Sequence, residues 1–130
     1  MSDGTSKTKR WIGYVLSALP VLMMGMSSVM KLAQPPMVVE GFAKNHIGPG
    51  GIMIIGLVEL LCVLLYVIPR TAVLGAVLTT GYLGGAIMTH VMAHETALIA
   101  PFILGVLAWA GLYLRDPRLK VLLPVRQREP

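Results

Sequence analysis

The stretch Gly51-Ile-Met-Ile-Ile-Gly-Leu-Val-Glu-Leu-Leu-Cys-Val-Leu-Leu-Tyr-Val-Ile68 decides the fold. It carries a single charge, at Glu59, in an otherwise apolar run as long as the roughly 17 to 25 residues that a helix needs to cross about 30 Å of hydrocarbon. Backbone groups in lipid must be satisfied within their own segment, and the run lacks the alternation of a barrel strand, so it reads as a helix. Working outward, runs of similar character occupy Trp11 to Leu32, Thr71 to Val91 and Ala97 to Leu114. The predicted fold is therefore all-α: an integral membrane four-helix bundle, antiparallel, with spans at 11–32, 51–68, 71–91 and 97–114.

Composition agrees. The chain has 130 residues, enough for one domain; 55% are hydrophobic and 13% charged, against roughly 25% charged in soluble domains. Too few charges remain to coat a surface in water, and the expected partner is the lipid bilayer. The net charge of +5 does not indicate nucleic acid, because the basic residues gather at the chain ends, in Lys7, Lys9, Arg10 and in Arg115, Arg118, Lys120, Arg126, Arg128. Anionic headgroups suit that distribution, and the domain plan is a basic segment 1–10, a transmembrane domain 11–114 and a basic tail 115–130. With Arg70 these residues lie on one side of the bundle and only Lys31 and Lys44 on the other, so the positive-inside rule places both termini in the cytoplasm. The first run exceeds a signal-peptide core of about 7 to 15 residues and is read as a retained span.

Prolines punctuate the runs: Pro35-Pro36 after the first, Pro69 after the second, Pro101 in the first turn of the fourth. Pro20 falls mid-span, where a kink and a freed carbonyl are expected. The long first connection, Ala33 to Gly50, holds an apolar patch from Met37 to Asn45 that predicts a short interfacial helix.

Glu59 lies near the midplane, where a carboxylate costs about 2.5 to 3.5 kcal/mol and must face the bundle. Gly75, Thr79, Tyr82, Ala86 and His90 repeat at three or four residues and form a small-and-polar stripe on the third span. Lys31, Glu59, Thr79, Tyr82 and His90 are thus candidate lining for a polar pocket opening outward beneath the long loop. Each has a plainer explanation: Lys31 snorkels to the headgroups, His90 bonds at the interface, Glu59 only glues helices, and His94 and Glu95 form a solvated turn. A direct Lys31–Glu59 pair requires tilt or a deeper Lys31, since helical rise leaves some 14 Å between Lys31 and the middle of the first span. Gly81, Gly84 and Gly85 predict tight helix packing, within the bundle or between protomers of a homo-oligomer. Met23, Met24, Met26 and Met30 read as packing. Cys62 is the single cysteine, which excludes dithiol exchange at the chain's own residues. No catalytic motif occurs, and His90, His94 and Glu95 fall short of a closed metal site. The expectation is a protein that is not an enzyme on its own and binds no metal.

Three segments carry a wider likeness: Gly-Met-Ser-Ser-Val-Met-Lys-Leu (Gly25 to Leu32), the stretch from Gly56 to Ala76, and Thr-Gly-Tyr-Leu-Gly-Gly-Ala-Ile-Met-Thr-His-Val (Thr80 to Val91). Together the chain from Trp11 to Leu114 resembles the DoxX-like family of four-span bacterial membrane proteins. The resemblance implies a location in the bacterial inner membrane, with Ser28, Lys31, Glu59, Gly84, Gly85 and His90 as the positions carrying the family's polar and glycine signature. Relatives include a subunit associated with thiosulfate–quinone oxidoreduction and members that accompany soluble oxidoreductases. Two functions remain open. One is an accessory to membrane redox chemistry whose pocket holds a quinone or other amphipathic molecule for an oxidoreductase partner. The other is a non-catalytic assembly subunit or small-molecule permeation protein.

Overall fold

The computed structural model describes residues 6–128, so the first five positions of the basic N-terminal segment and the last two of the tail lie outside the described residues. Helix α1 runs Lys7–Ala33, α2 Pro36–Ala43, α3 Pro49–Val67, α4 Ala72–Met92, α5 Ile99–Arg115 and α6 Leu119–Leu122. Short 3-10 turns, Pro69–Thr71 and Thr96–Leu98, lead into α4 and α5. The four long helices are each long and apolar enough to cross a membrane, and among the described residues there is no strand. The expected all-α bundle is what forms, including the short helix in the first connection.

Local chemistry sets the ends. The Ser6 hydroxyl accepts from the Lys9 amide at 3.1 Å and starts α1. Gln34 closes it in the left-handed region, with its N–H on the Met30 carbonyl. Pro49 opens α3 at a position where no N–H is needed. Pro69 stops that helix, and the Thr71 hydroxyl turns back to donate to the Leu65 carbonyl at 2.8 Å, satisfying one acceptor of the last turn. Helix α1 runs unbroken through Pro20, whose ring is buried in the bundle.

The helices form a square in which α1 packs on α3 and α5, and α4 packs on the same two. Large apolar side chains such as Leu22, Met26, Ile54, Leu74, Val77, Phe102 and Val106 point outward, while Ser17, Ser28, Glu59 and Thr79 are buried. Lipid is as apolar as leucine, so packing and internal polar contacts hold the helices together. Close approach is made at small residues. A Cβ on Gly111 would overlap the Ser17 hydroxyl, and one on Gly13 would come within 2.7 Å of the Gly111 carbonyl, which brings α1 and α5 into backbone contact. A Cβ on Gly75 would overlap the Tyr66 backbone across the α3–α4 seam. Beside these seams the buried Tyr66 hydroxyl donates to the Ala108 carbonyl at 2.6 Å and lies 2.9 Å from the Ser17 hydroxyl, joining α1, α3 and α5.

Gly81, Gly84 and Gly85 meet nothing within 4 Å of an added Cβ. The expected tight packing therefore does not involve them within the bundle; the close contacts fall on the other glycines, because the face of α4 bearing residues 81, 84 and 85 is turned away from its neighbours.

Gly75→Ala and Gly111→Ala should each lower stability by about 1–3 kcal/mol through overpacking against backbone, whereas Gly81→Ala should leave it unchanged or slightly raised. Thermal unfolding in mild detergent followed by circular dichroism checks both.

Candidate functional site

Polar chemistry inside the bundle centres on Glu59, 3% exposed, with its carboxylate turned toward α1 and α4. The Lys31 ammonium lies 2.8 Å from Glu59 Oε1, and only 12% of the lysine side chain is exposed. Lys31 also donates to the Ser27 hydroxyl one turn earlier. Its ammonium sits 6.0 Å from the centre of the Tyr82 ring, and the Tyr82 hydroxyl is directed at Glu59. Ser28, on the same helix, spends its hydroxyl proton on the Gly25 carbonyl at 2.8 Å.

The distance that sequence arithmetic put between Lys31 and Glu59 disappears for a geometric reason. The Gln34 side chain donates to the Pro49 carbonyl at 2.8 Å, so the last turn of α1 is level with the first turn of α3. A Cβ at Gly56 would come 2.9 Å from the Lys31 Cβ, which places Lys31 level with Gly56, about 4.5 Å of helical rise from Glu59. Gly56 is thus the notch through which the lysine stem passes. The lysine does not snorkel to the headgroups; it is held inside by its carboxylate.

Of the five candidate residues, Lys31, Glu59 and Tyr82 come together. Thr79, buried on the next turn of α4, faces the Cys62 thiol. His90 does not join them: it stands two turns from Tyr82, about 12 Å along α4, with Nδ1 2.7 Å from Glu95 Oε2 and both side chains well exposed. Glu95, read from the sequence as part of a solvated turn, is the partner of His90. The polar pocket expected beneath the long loop therefore lacks its outer wall. The void beside the polar cluster, lined by residues including Met24, Tyr66 and Thr79, measures about 10 Å³, room for at most one water.

A much larger, apolar space lies on another side of the bundle. A groove of about 770 Å³ runs between α4 and α5 over Leu83, Gly84, Phe102, Gly105 and Trp109, and Leu123 and Pro124 of the C-terminal segment close one end. Two of its polar side chains are engaged: Trp109 Nε1 donates to the Thr80 hydroxyl at 2.6 Å, and Thr80 donates to the Ala76 carbonyl at 2.8 Å. From Pro101 to Tyr113 the groove follows α5 for about 18 Å of helical rise. Sequence reasoning missed it; the small Gly84 and Gly105 between large apolar residues were the available signal.

Removing one partner of a buried ion pair strands the other charge at a cost of about 3–5 kcal/mol, whereas replacing both is close to neutral. Glu59→Gln should therefore destabilise strongly, and the double change Lys31→Met with Glu59→Gln should recover most of the loss. Denaturation of both variants and the unchanged protein in mixed micelles measures the difference.

No curated protein and no solved structure matches the chain. The family model described as the DoxX-like family matches residues 15–111, a range that takes in Lys31, Glu59, Tyr82 and both walls of the apolar groove. A match over most of the chain, with four helices able to span a membrane, settles the assignment: this membrane protein belongs to the DoxX-like family.

Proposed function

We propose that the chain is a non-enzymatic accessory of membrane redox chemistry that holds an amphipathic, quinone-like molecule by its apolar tail in the groove between α4 and α5. The observation that carries this reading is the groove itself: about 770 Å³, apolar and bounded on both sides by membrane-spanning helices. Binding sites for small molecules are of this size and character, and a prenyl tail entering from the bilayer meets no polar atom that would have to be stripped of a partner. Lys31, Glu59 and Tyr82 are closed on one another and serve to fix the bundle, so the headgroup is offered to a partner oxidoreductase rather than to chemistry within this chain. Support for the redox partner comes from the family resemblance. The basic chain ends support an inner-membrane placement with both termini in the cytoplasm.

A second reading is an assembly subunit. The open face of Gly81 and Gly85 favours it, because two small residues four apart let a second helix approach closely.

The test is photolabelling of the purified protein with a benzoquinone bearing a diazirine on its prenyl tail. Label should concentrate on α4 and α5 peptides lining the groove, and Gly84→Phe, which fills the groove where nothing opposes an added side chain, should reduce it at least tenfold. Even labelling around the whole lipid-facing surface would refute the binding reading. A dimer in detergent that Gly85→Leu converts to monomer would favour assembly.

A further inference from the structure

The corner where α1 begins and α5 ends holds a cation, Arg115, that feels the charge of the adjacent Asp116 but makes no direct ion pair with a carboxylate among the described residues. Arg115 is the last residue of α5, and the backbone contact of Gly13 with Gly111 and Arg115 brings it against the first turns of α1. Its Nε donates to the Ser17 hydroxyl at 3.1 Å. The guanidinium lies between two aromatic rings, 5.2 Å from the centre of Tyr14 and 5.3 Å from that of Tyr66. Tyr66 is buried, while Tyr14 is 52% exposed on the outer surface.

Among the described residues no carboxylate pairs with Arg115. The neighbouring Asp116 is engaged by Arg118, which reaches its two oxygens at 3.0 and 2.8 Å. Hydrogen bonding from that guanidinium holds the Asp116 carboxyl below the usual carboxylate range, so it remains committed at neutral pH. An arginine has five N–H donors in a fixed fork and does not deprotonate. Nε is on Ser17 and the guanidinium carbon lies near both rings, which leaves the terminal N–H groups for an outside acceptor, and an arginine fork takes phosphate oxygens two at a time. The surroundings add positive charge: Arg10 lies four residues and Lys7 seven residues before Tyr14 on α1, on the same helix face.

We propose that Arg115, held between Tyr14 and Tyr66, binds the phosphate of an anionic phospholipid headgroup on the membrane face that carries both chain ends. A phosphodiester at headgroup level meets the fork at the end of α5. The basic first turn of α1 favours a lipid of net negative charge over a zwitterionic one. This site is on the α1–α5 seam and is independent of the groove between α4 and α5.

The experiment is native mass spectrometry of the full chain in detergent, titrated separately with short-chain phosphatidylglycerol, short-chain phosphatidylcholine and inorganic phosphate. Phosphatidylglycerol should be retained at least tenfold better than phosphatidylcholine, and millimolar inorganic phosphate should not displace it. Arg115→Gln should abolish that preference. Tyr14→Leu, which removes only the exposed ring and leaves the buried contacts in place, should weaken it several-fold, so the test survives if Arg115→Gln fails to fold. A role in packing alone would lower thermal stability in lipid-free detergent for both variants without any dependence on lipid class. Equal retention of the two lipids, retention undiminished in both variants, or displacement by inorganic phosphate would overturn the proposal.

Discussion

A carboxylate halfway through a membrane must find a cation, and the structure is arranged around that requirement. Glu59 is buried on α3 near its middle, and the nearest cation, Lys31, belongs to another helix. To bring the ammonium within 2.8 Å, the end of α1 must lie level with the start of α3, and α3 must offer a notch for the lysine stem. Gln34 on the Pro49 carbonyl supplies the first condition and Gly56 the second. An unpaired charge at that depth would cost several kcal/mol, so the register of α1 against α3 is strongly specified.

The remaining seams follow from the absence of a hydrophobic drive between helices in lipid. Gly13 against Gly111, and Gly75 against Tyr66, allow backbones to meet. Tyr66 carries a hydroxyl into the middle of the bundle, where Ala108 and Ser17 receive it. These polar contacts join α3 to α1 and α5. Beside them α4 and α5 meet through Leu83 and small residues, and that seam opens into an apolar groove. Polar atoms thus close inward to hold the helices, and the apolar groove lies on the outer side of the α4–α5 seam.

Much of the fold was readable from residue runs, because twenty consecutive apolar residues have few alternatives in any solvent. The helix in the first connection and the mid-helix position of Glu59 followed from the same runs. Register did not. The 14 Å estimate for Lys31 assumed that the first and second spans share a midplane, but α1 has 27 residues and α3 has 19, and their ends align on one side only. The stripe from Gly75 to His90 was correct as a helix face near its middle and misleading at its outer end, where a neighbouring turn brought Glu95 to His90. Which glycines make contact was also beyond sequence reasoning. Gly81, Gly84 and Gly85 have the familiar spacing and face away from the neighbouring helices, while Gly13 and Gly111 have no spacing signal and touch across the bundle. Arg115 between two tyrosines was hidden for the same reason, since its partners come from α1 and α3.

The central claim is that the buried ion pair is closed and that any guest resides between α4 and α5. A structure of the protein in lipid, determined with a benzoquinone bearing a short prenyl tail, tests it most directly. The account predicts tail density along Gly84, Gly105 and Trp109, with the Lys31 ammonium still on Glu59. A quinone ring inserted between Lys31 and Glu59, with the α4–α5 groove filled only by unordered lipid, would contradict it.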